Sequence, residues 1–124
     1  MQIINPKNSK AVGPYSPAIK VDKFIFTSGQ IGIDTNGDLV DEAVEAQCQK
    51  ALENLANVLK AAGVTVKDVI KTTIFLINVN DYAIVNEIYG KFLQGHKPAR
   101  STVAVAELPK GAKIEIEAVA IAKV

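Results

Sequence analysis

The chain has 124 residues, enough for one domain with a genuine core and too few for two ordinary ones. Its 48% apolar and 22% charged residues are those of a soluble globular protein, and a formal net charge of +1 at pH 7 argues against binding nucleic acid mainly by neutralising phosphates. A single cysteine, Cys48, excludes an intrachain disulfide and suits a reducing compartment. No run approaches the roughly 20 apolar residues that cross a bilayer, and Met1-Gln2-Ile3-Ile4-Asn5-Pro6 lacks the apolar stretch of a signal peptide. A cytoplasmic protein with no membrane partner is the expectation.

Taken in chain order, Pro6, Gly13, Pro14 and Pro17 make residues 5–18 an ordered loop or strand edge rather than a helix. Residues 18–21 and 24–28 read as strands about a turn at Asp22-Lys23. Gly29 and Gly32 then flank Gln30-Ile31, and Asn36-Gly37 marks a tight turn. The first helix is the clearest element. Val44, Cys48, Ala51, Leu52, Leu55, Leu59 and Ala62 recur at helical spacing, Asp41 is the expected N-cap, Glu42 and Glu45 suit the positive end of the dipole, and Gly63 fits just past the end.

Residues 69–77 are β-branched and apolar on both faces except at Lys71, Thr72 and Thr73, the pattern of an interior strand. Asp81 is the expected cap of a second helix running to Leu93, with Val85, Ile88, Tyr89 and Phe92 on its buried stripe and Gly95 at its end. Gly90 inside that helix costs about 1 kcal/mol against alanine, which predicts close packing there. Residues 101–106 and 113–122 read as closing strands joined through Leu108-Pro109-Lys110-Gly111. This order predicts a single α+β domain over residues 1–124, a mixed or largely antiparallel sheet covered by two helices. No linker, repeat or low-complexity segment interrupts it.

The chain has no phosphate loop and no dinucleotide fingerprint. One histidine and one cysteine leave too few of the usual zinc ligands. His96, in a Gly-His-Lys-Pro loop with no evident partner, reads as an ordinary loop histidine, and Cys48 on the buried helix stripe reads as core packing. Arg100 is different. It enters a strand after Pro98-Ala99, and Ser101, Thr102 and Val103 offer its charge no local partner. Its planar fork matches a carboxylate bidentately. The spacing equally allows a structural salt bridge to Glu115 or Glu117, or a solvated strand end.

Glu115 and Glu117 share one face of the last strand with Val119 and Ile121. A carboxylate on a face that turns apolar is a candidate for a raised pKa and general-base work. Periodicity does not separate the two glutamates, nor either from a solvated strand entrance. Read alone, Tyr15 in its stiff loop is packing, Ser28-Gly29 is a bend or bulge, and Asn86 is a solvent-facing helix residue.

Together, Gly13-Pro14-Tyr15-Ser16, Thr27-Ser28-Gly29-Gln30-Ile31, the helix over 47–63, Val69-Ile70-Lys71-Thr72-Thr73-Ile74-Phe75, Val85-Asn86-Glu87-Ile88-Tyr89, Pro98-Ala99-Arg100-Ser101 and Ile114-Glu115-Ile116-Glu117 closely resemble the Rid family, also called the YjgF or reactive intermediate deaminase family. The resemblance covers nearly the whole chain. It implies a chorismate-mutase-like fold and a homotrimer with three sites in the clefts between subunits. It also implies hydrolysis of 2-imino acids such as 2-iminopropanoate and 2-iminobutanoate to 2-oxo acids and ammonia, with no cofactor.

Carried over by position, Arg100 would clamp the substrate carboxylate and Glu115 would orient or activate the attacking water. Tyr15, Ser28 and the Gly29 backbone would line the site from across a subunit boundary. The Thr102 backbone would contact the ligand, with Asn86 close by. Many deaminase members carry cysteine where this chain has Thr102, which leaves a main-chain contact intact and removes any thiol role. Lys97 stands where many relatives place a bulkier apolar residue, which bears on substrate preference. Two other functions stay open: the translation inhibition and endoribonuclease activity described for some relatives, which the scattered lysines do not favour, and a non-catalytic small-carboxylate-binding role for the same pocket.

Overall fold

Alternating apolar residues build six strands into one sheet. The structure is a computed structural model that describes residues 1–6 and 13–123. Its elements are β1 (Gln2–Ile4), β2 (Ala18–Val21), β3 (Phe24–Thr27), α1 (Val44–Ala61), β4 (Val69–Leu76), α2 (Tyr82–Leu93), β5 (Ala99–Ala104) and β6 (Ile114–Ile121). The sheet order is β1-β2-β3-β6-β4-β5. Neighbours run antiparallel except β4 and β5, which are parallel and are linked through α2. The α+β class, the mixed sheet and the two helices are those expected from the sequence. β1, at three residues, is too short to show a period and was not expected. The prolines and glycine expected to shape residues 5–18 bracket positions 7–12, which lie outside the described residues.

Both helices cover the same face of the sheet. Burial alternates strictly along β6: Ile114, Ile116, Ala118 and Ala120 are buried, while Glu115, Glu117, Val119 and Ile121 are half-buried on the other side. The helix-side residues pack with Ile25, Ile74 and Leu76 from the sheet, Cys48, Leu52, Leu55 and Leu59 from α1, and Val85 and Leu93 from α2. Cys48 is fully buried, and burial pushes its thiol up to about 12, so it is inert core.

Among the described residues neither helix covers the opposite face. One register row runs Ile3, Ile19, Phe26, Val119 across four strands, and Val21 and Phe24 extend it. Ile3, Val21, Phe24 and Phe26 are all exposed, Ile3 by 54% and Phe26 by 47%. Among the described residues no helix is long and apolar enough to cross a membrane.

Several local expectations are corrected. Asp41 does not cap α1. Its carboxylate accepts from the Ala43 N–H in the turn before the helix, and the N-cap position falls on Ala43 with no side-chain cap. Asp81 stands at the N-cap of α2 but makes no capping bond, because the 3-10 turn Val79–Asp81 precedes the helix and Asn78 caps that turn instead. Glycine past α1 is as expected, whereas α2 turns out through Gln94 in the left-handed region (φ 50°) before Gly95. His96 has a partner: its Nε2–H donates to the Val69 carbonyl at 2.7 Å. Sequence reasoning missed Gln47, which is buried, donates to the Asp41 carbonyl and accepts from the Lys113 N–H, tying the loop before α1 to the entrance of β6.

Gly90 is not closely packed. A Cβ built there meets nothing within 4 Å, and the residue is exposed. Helix propensity then acts alone, so Gly90→Ala should stabilise the fold by about 0.5–1 kcal/mol. A higher urea midpoint at unchanged slope is the expected reading.

Candidate active site

Arg100 lies on β5 opposite Thr72 in the parallel ladder, so both side chains point to the helix side. Thr72 is buried, and its hydroxyl hydrogen-bonds the Tyr89 hydroxyl at 2.7 Å, fixing that ring beneath β5. The half-buried guanidinium sits 5.0 Å from the Tyr89 ring centroid and 5.6 Å from that of Tyr82. Its Nη2 donates to Asn86 Oδ1 at 2.6 Å and to the Tyr82 hydroxyl at 3.2 Å. Asn86 is therefore half-buried and turned to the arginine, not to solvent as its position in a helix had suggested.

Every partner of Arg100 is neutral. The ion pairs among the described residues are Lys91–Glu87 and Lys123–Asp68, so Arg100 forms no salt bridge with Glu115 or Glu117. A half-buried cation held by hydrogen bonds and ring faces, with no counter-charge, is chemically suited to receive an anion. Tyr82 was missed by sequence reasoning. The signal was its spacing, four residues before Asn86 and thus on the same helix face. The Asn86 hydrogen bond, and then Arg100, hold the Tyr82 phenol below its ordinary range, while burial raises that of Tyr89.

Thr102 follows two residues along the same face. Its Oγ1 is buried and has no hydrogen-bond partner. The Val105 N–H donates to the Leu76 carbonyl, so by the period of a strand the main-chain groups of Arg100, Thr102 and Ala104 point away from β4 to the free edge of the sheet. The strand thus presents a cationic side chain and an unpaired main chain at one edge.

Glu115 is elsewhere. It lies on β6, pairs with Phe75 of β4 and faces the open side of the sheet. Its carboxylate fills the space where Gly29 lacks a side chain: a Cβ at Gly29 would lie 2.5 Å from the Glu115 Cδ. Only glycine allows that approach. Reciprocal main-chain bonds between Gln30 and Ile116, at 2.8 and 2.9 Å, hold the 28–30 segment against β6. Asn54 on α1 fixes the loop beyond by donating to the Ile31 and Ile33 carbonyls. The Ser28 hydroxyl donates to the Ser16 carbonyl at 2.6 Å, which fastens the Tyr15 loop to the same segment. Tyr15 itself is 49% exposed. Burial first, and the charge of Glu117 second, push the Glu115 carboxyl above the ordinary range.

The candidate residues fall into two groups. Arg100 and Asn86 meet on the helix side at the β5 edge, with Thr102 on the same face of β5, and Gly29 meets Glu115 on the open side, with the Ser28 hydroxyl tying the Tyr15 loop to that segment. The chain does not bring the two groups together. Two open clefts of about 580 and 330 Å³ lie at the start of α1, around Gln47 and Glu45, and neither includes any of these residues.

Fold and geometry define a small α+β protein with an arginine that has no counter-charge and a glutamate whose carboxyl is raised by burial. The family model described as endoribonuclease L-PSP matches residues 6–122, and the chain belongs to this family, the YjgF or Rid family. The mouse protein named 2-iminobutanoate/2-iminopropanoate deaminase is 47% identical over 120 residues, 96% of this chain and 89% of the mouse protein. The crystal structure of the Escherichia coli YjgF gene product is 41% identical and superposes with a TM-score of 0.92, covering 99% of this chain and 100% of that one. Escherichia coli TdcF with bound serine is 39% identical with a TM-score of 0.93, again over 99% and 100%.

The negative charge of Glu117 adds to the effect of burial on the Glu115 carboxyl. In a ¹³C NMR titration Glu115 should ionise at higher pH than an ordinary glutamate, and Glu117→Gln should move it down, because the repelling charge is gone. A Glu115 midpoint unmoved by Glu117→Gln would refute that coupling.

Proposed function

We propose that this protein hydrolyses 2-imino acids such as 2-iminopropanoate and 2-iminobutanoate to 2-oxo acids and ammonia, in a site shared between two copies of the chain. The observation that carries the reading is Arg100: a half-buried guanidinium, pre-positioned by Asn86 and two tyrosines, with no carboxylate of its own. The mouse relative's name states this reaction, and the serine in the TdcF structure is a small molecule carrying the same α-carboxylate.

The chemistry asks for little. The substrate carboxylate binds the Arg100 fork, which fixes the position of the imine carbon next to it. Water adds to that carbon as Glu115 takes one of its protons and passes it to the imine nitrogen, giving a carbinolamine. Glu115 then takes the remaining hydroxyl proton and returns it to the nitrogen, which leaves as ammonia while the C=O bond forms. Nothing is oxidised or reduced, so no redox cofactor is called for. A raised pKa suits Glu115 to both transfers, since it holds the proton more firmly than an ordinary carboxylate and can return it to the amine. Tyr15, Ser28 and the Gly29 main chain complete the wall around the water, and the free Thr102 main chain meets the ligand from the Arg100 side.

The shared site follows from the separation of the half-sites on opposite faces of one sheet. Two different patches meeting head to tail generate a ring rather than a pair with self-matching faces, and the family resemblance puts three copies in it. The uncovered row of Ile3, Ile19, Phe26 and Val119 supplies the apolar surface such an assembly buries. The unpaired Cys48 suits action in the cytoplasm. A net charge of +1 gives little support to an RNA substrate.

With 2-iminopropanoate generated in situ by an amino-acid oxidase, Arg100→Ala should lower kcat/KM by on the order of 10²–10⁴-fold, the loss of two charged hydrogen bonds. Wild-type turnover by this variant would overturn the reading. Arg100→Ala and Glu115→Gln chains, each inactive alone, should recover about a quarter of the wild-type rate when dissociated and reassembled together, because neighbours then pair an intact Arg100 with an intact Glu115. No recovery from a mixture shown to be assembled would place both residues in one chain's site. Phe26→Glu should leave far-UV circular dichroism intact while sedimentation reports single chains without activity.

A further inference from the structure

The hydrogens of the Arg100 guanidinium are not all free, and which are taken decides how a carboxylate can bind. A guanidinium offers two bidentate edges, Nε with Nη2 and Nη1 with Nη2. Both edges need a hydrogen of Nη2. That nitrogen carries two hydrogens and already meets two acceptors, Asn86 Oδ1 at 2.6 Å and the Tyr82 hydroxyl at 3.2 Å. A carboxylate arriving to make two parallel bonds must displace one of them.

The two acceptors are not equal. Asn86 is half-buried and its bond is short. The Tyr82 bond is long, and Tyr82 is 44% exposed at the first residue of α2, where its hydroxyl can turn to water at little cost. Asn86 therefore holds the guanidinium, and Tyr82 stands in the place of one carboxylate oxygen. The Tyr82 ring adds a second contribution, since its face is 5.6 Å from the guanidinium carbon. A phenylalanine would keep that face and lose the competing oxygen.

We propose that the Tyr82 hydroxyl is a placeholder in the carboxylate fork, a specificity-determining group that an anion must displace in order to bind Arg100 bidentately. This rests on Arg100 being the carboxylate clamp. A two-pronged α-carboxylate displaces Tyr82 and replaces that bond with two charge-assisted ones, whereas a spherical anion that needs a single hydrogen can take it from Nε or Nη1 and leave Tyr82 in place.

The test is Tyr82→Phe in the assembled protein, with 2-oxobutanoate as a competitive inhibitor of imine hydrolysis and chloride as a second probe. Removal of the competitor should tighten 2-oxobutanoate by roughly two- to tenfold, the worth of one neutral hydrogen bond. Chloride, which needs no place in the fork, should move little, so the preference for 2-oxobutanoate widens. A gain of affinity is a readout that a merely supporting role would not produce. An inhibition constant for 2-oxobutanoate that stays the same or rises in Tyr82→Phe overturns the proposal. Arg100→Ala, run in parallel, separates the two readings: if it keeps wild-type activity the clamp itself is wrong, and if it is inactive while Tyr82→Phe shows no gain, only the placeholder is wrong.

Discussion

A β-strand sends successive side chains to opposite faces, and in this protein that period keeps Arg100 and Glu115 apart. The two are not far removed in the sheet. β5 and β6 both flank β4, with Arg100 beside Thr72 and Glu115 beside Phe75. Thr72 and Phe75 stand three positions apart on β4, an odd offset, so the sheet itself lies between the cation and the carboxylate. No rotamer removes that barrier. A chain that needs both groups in one reaction has to find the second on another copy.

Each half-site is built by packing that leaves its charge unpaired. Arg100 is surrounded by a carboxamide and two phenols, which satisfy its geometry and leave its charge uncompensated. The usual cost of a buried unpaired cation is moderated by the ring faces and by partial access to water. Glu115 is treated in the mirrored way. The missing side chain at Gly29 lets its carboxyl nest against main chain, and Glu117 on the same face keeps a second negative charge close enough to repel it. One half favours the arrival of an anion and the other disfavours its own charge. Those opposed biases suit the proposed addition of water to a bound imino acid.

Much of this was legible in the residues. The strict alternation from Ile114 to Ile121 placed both glutamates on one face, and the α1 stripe assigned Cys48 to the core. The lack of any charged neighbour marked Arg100. What could not be read was everything fixed by long-range contact. Asn86 looked solvent-facing because a helix face says nothing about the strand it will meet. The salt bridge from Arg100 to Glu115 or Glu117 looked open because the relative phase of two strands is set by pairing through a third. Asp41 looked like a cap because its type and position fit, but Gln47 claims the Asp41 carbonyl and the turn ends two residues later. Gly90 looked packed because a helix rarely carries glycine without reason, and the chain supplies none.

Division of the site between faces also ties the uncovered surface to the chemistry. The apolar row from Ile3 to Val119 runs across the same open face that carries Glu117 and Glu115. A neighbour that covers the row also comes within reach of the glutamates and the Tyr15 loop, and would bring its own β5 edge if the contact is head to tail. Dry closure would strengthen the attraction of Arg100 for a carboxylate and raise the Glu115 carboxyl further, since both effects grow as water leaves. On this reading the hydrophobic contact that holds copies together and the electrostatics that make the site reactive are one event, and a chain that fails to assemble retains every candidate residue in place yet has no site.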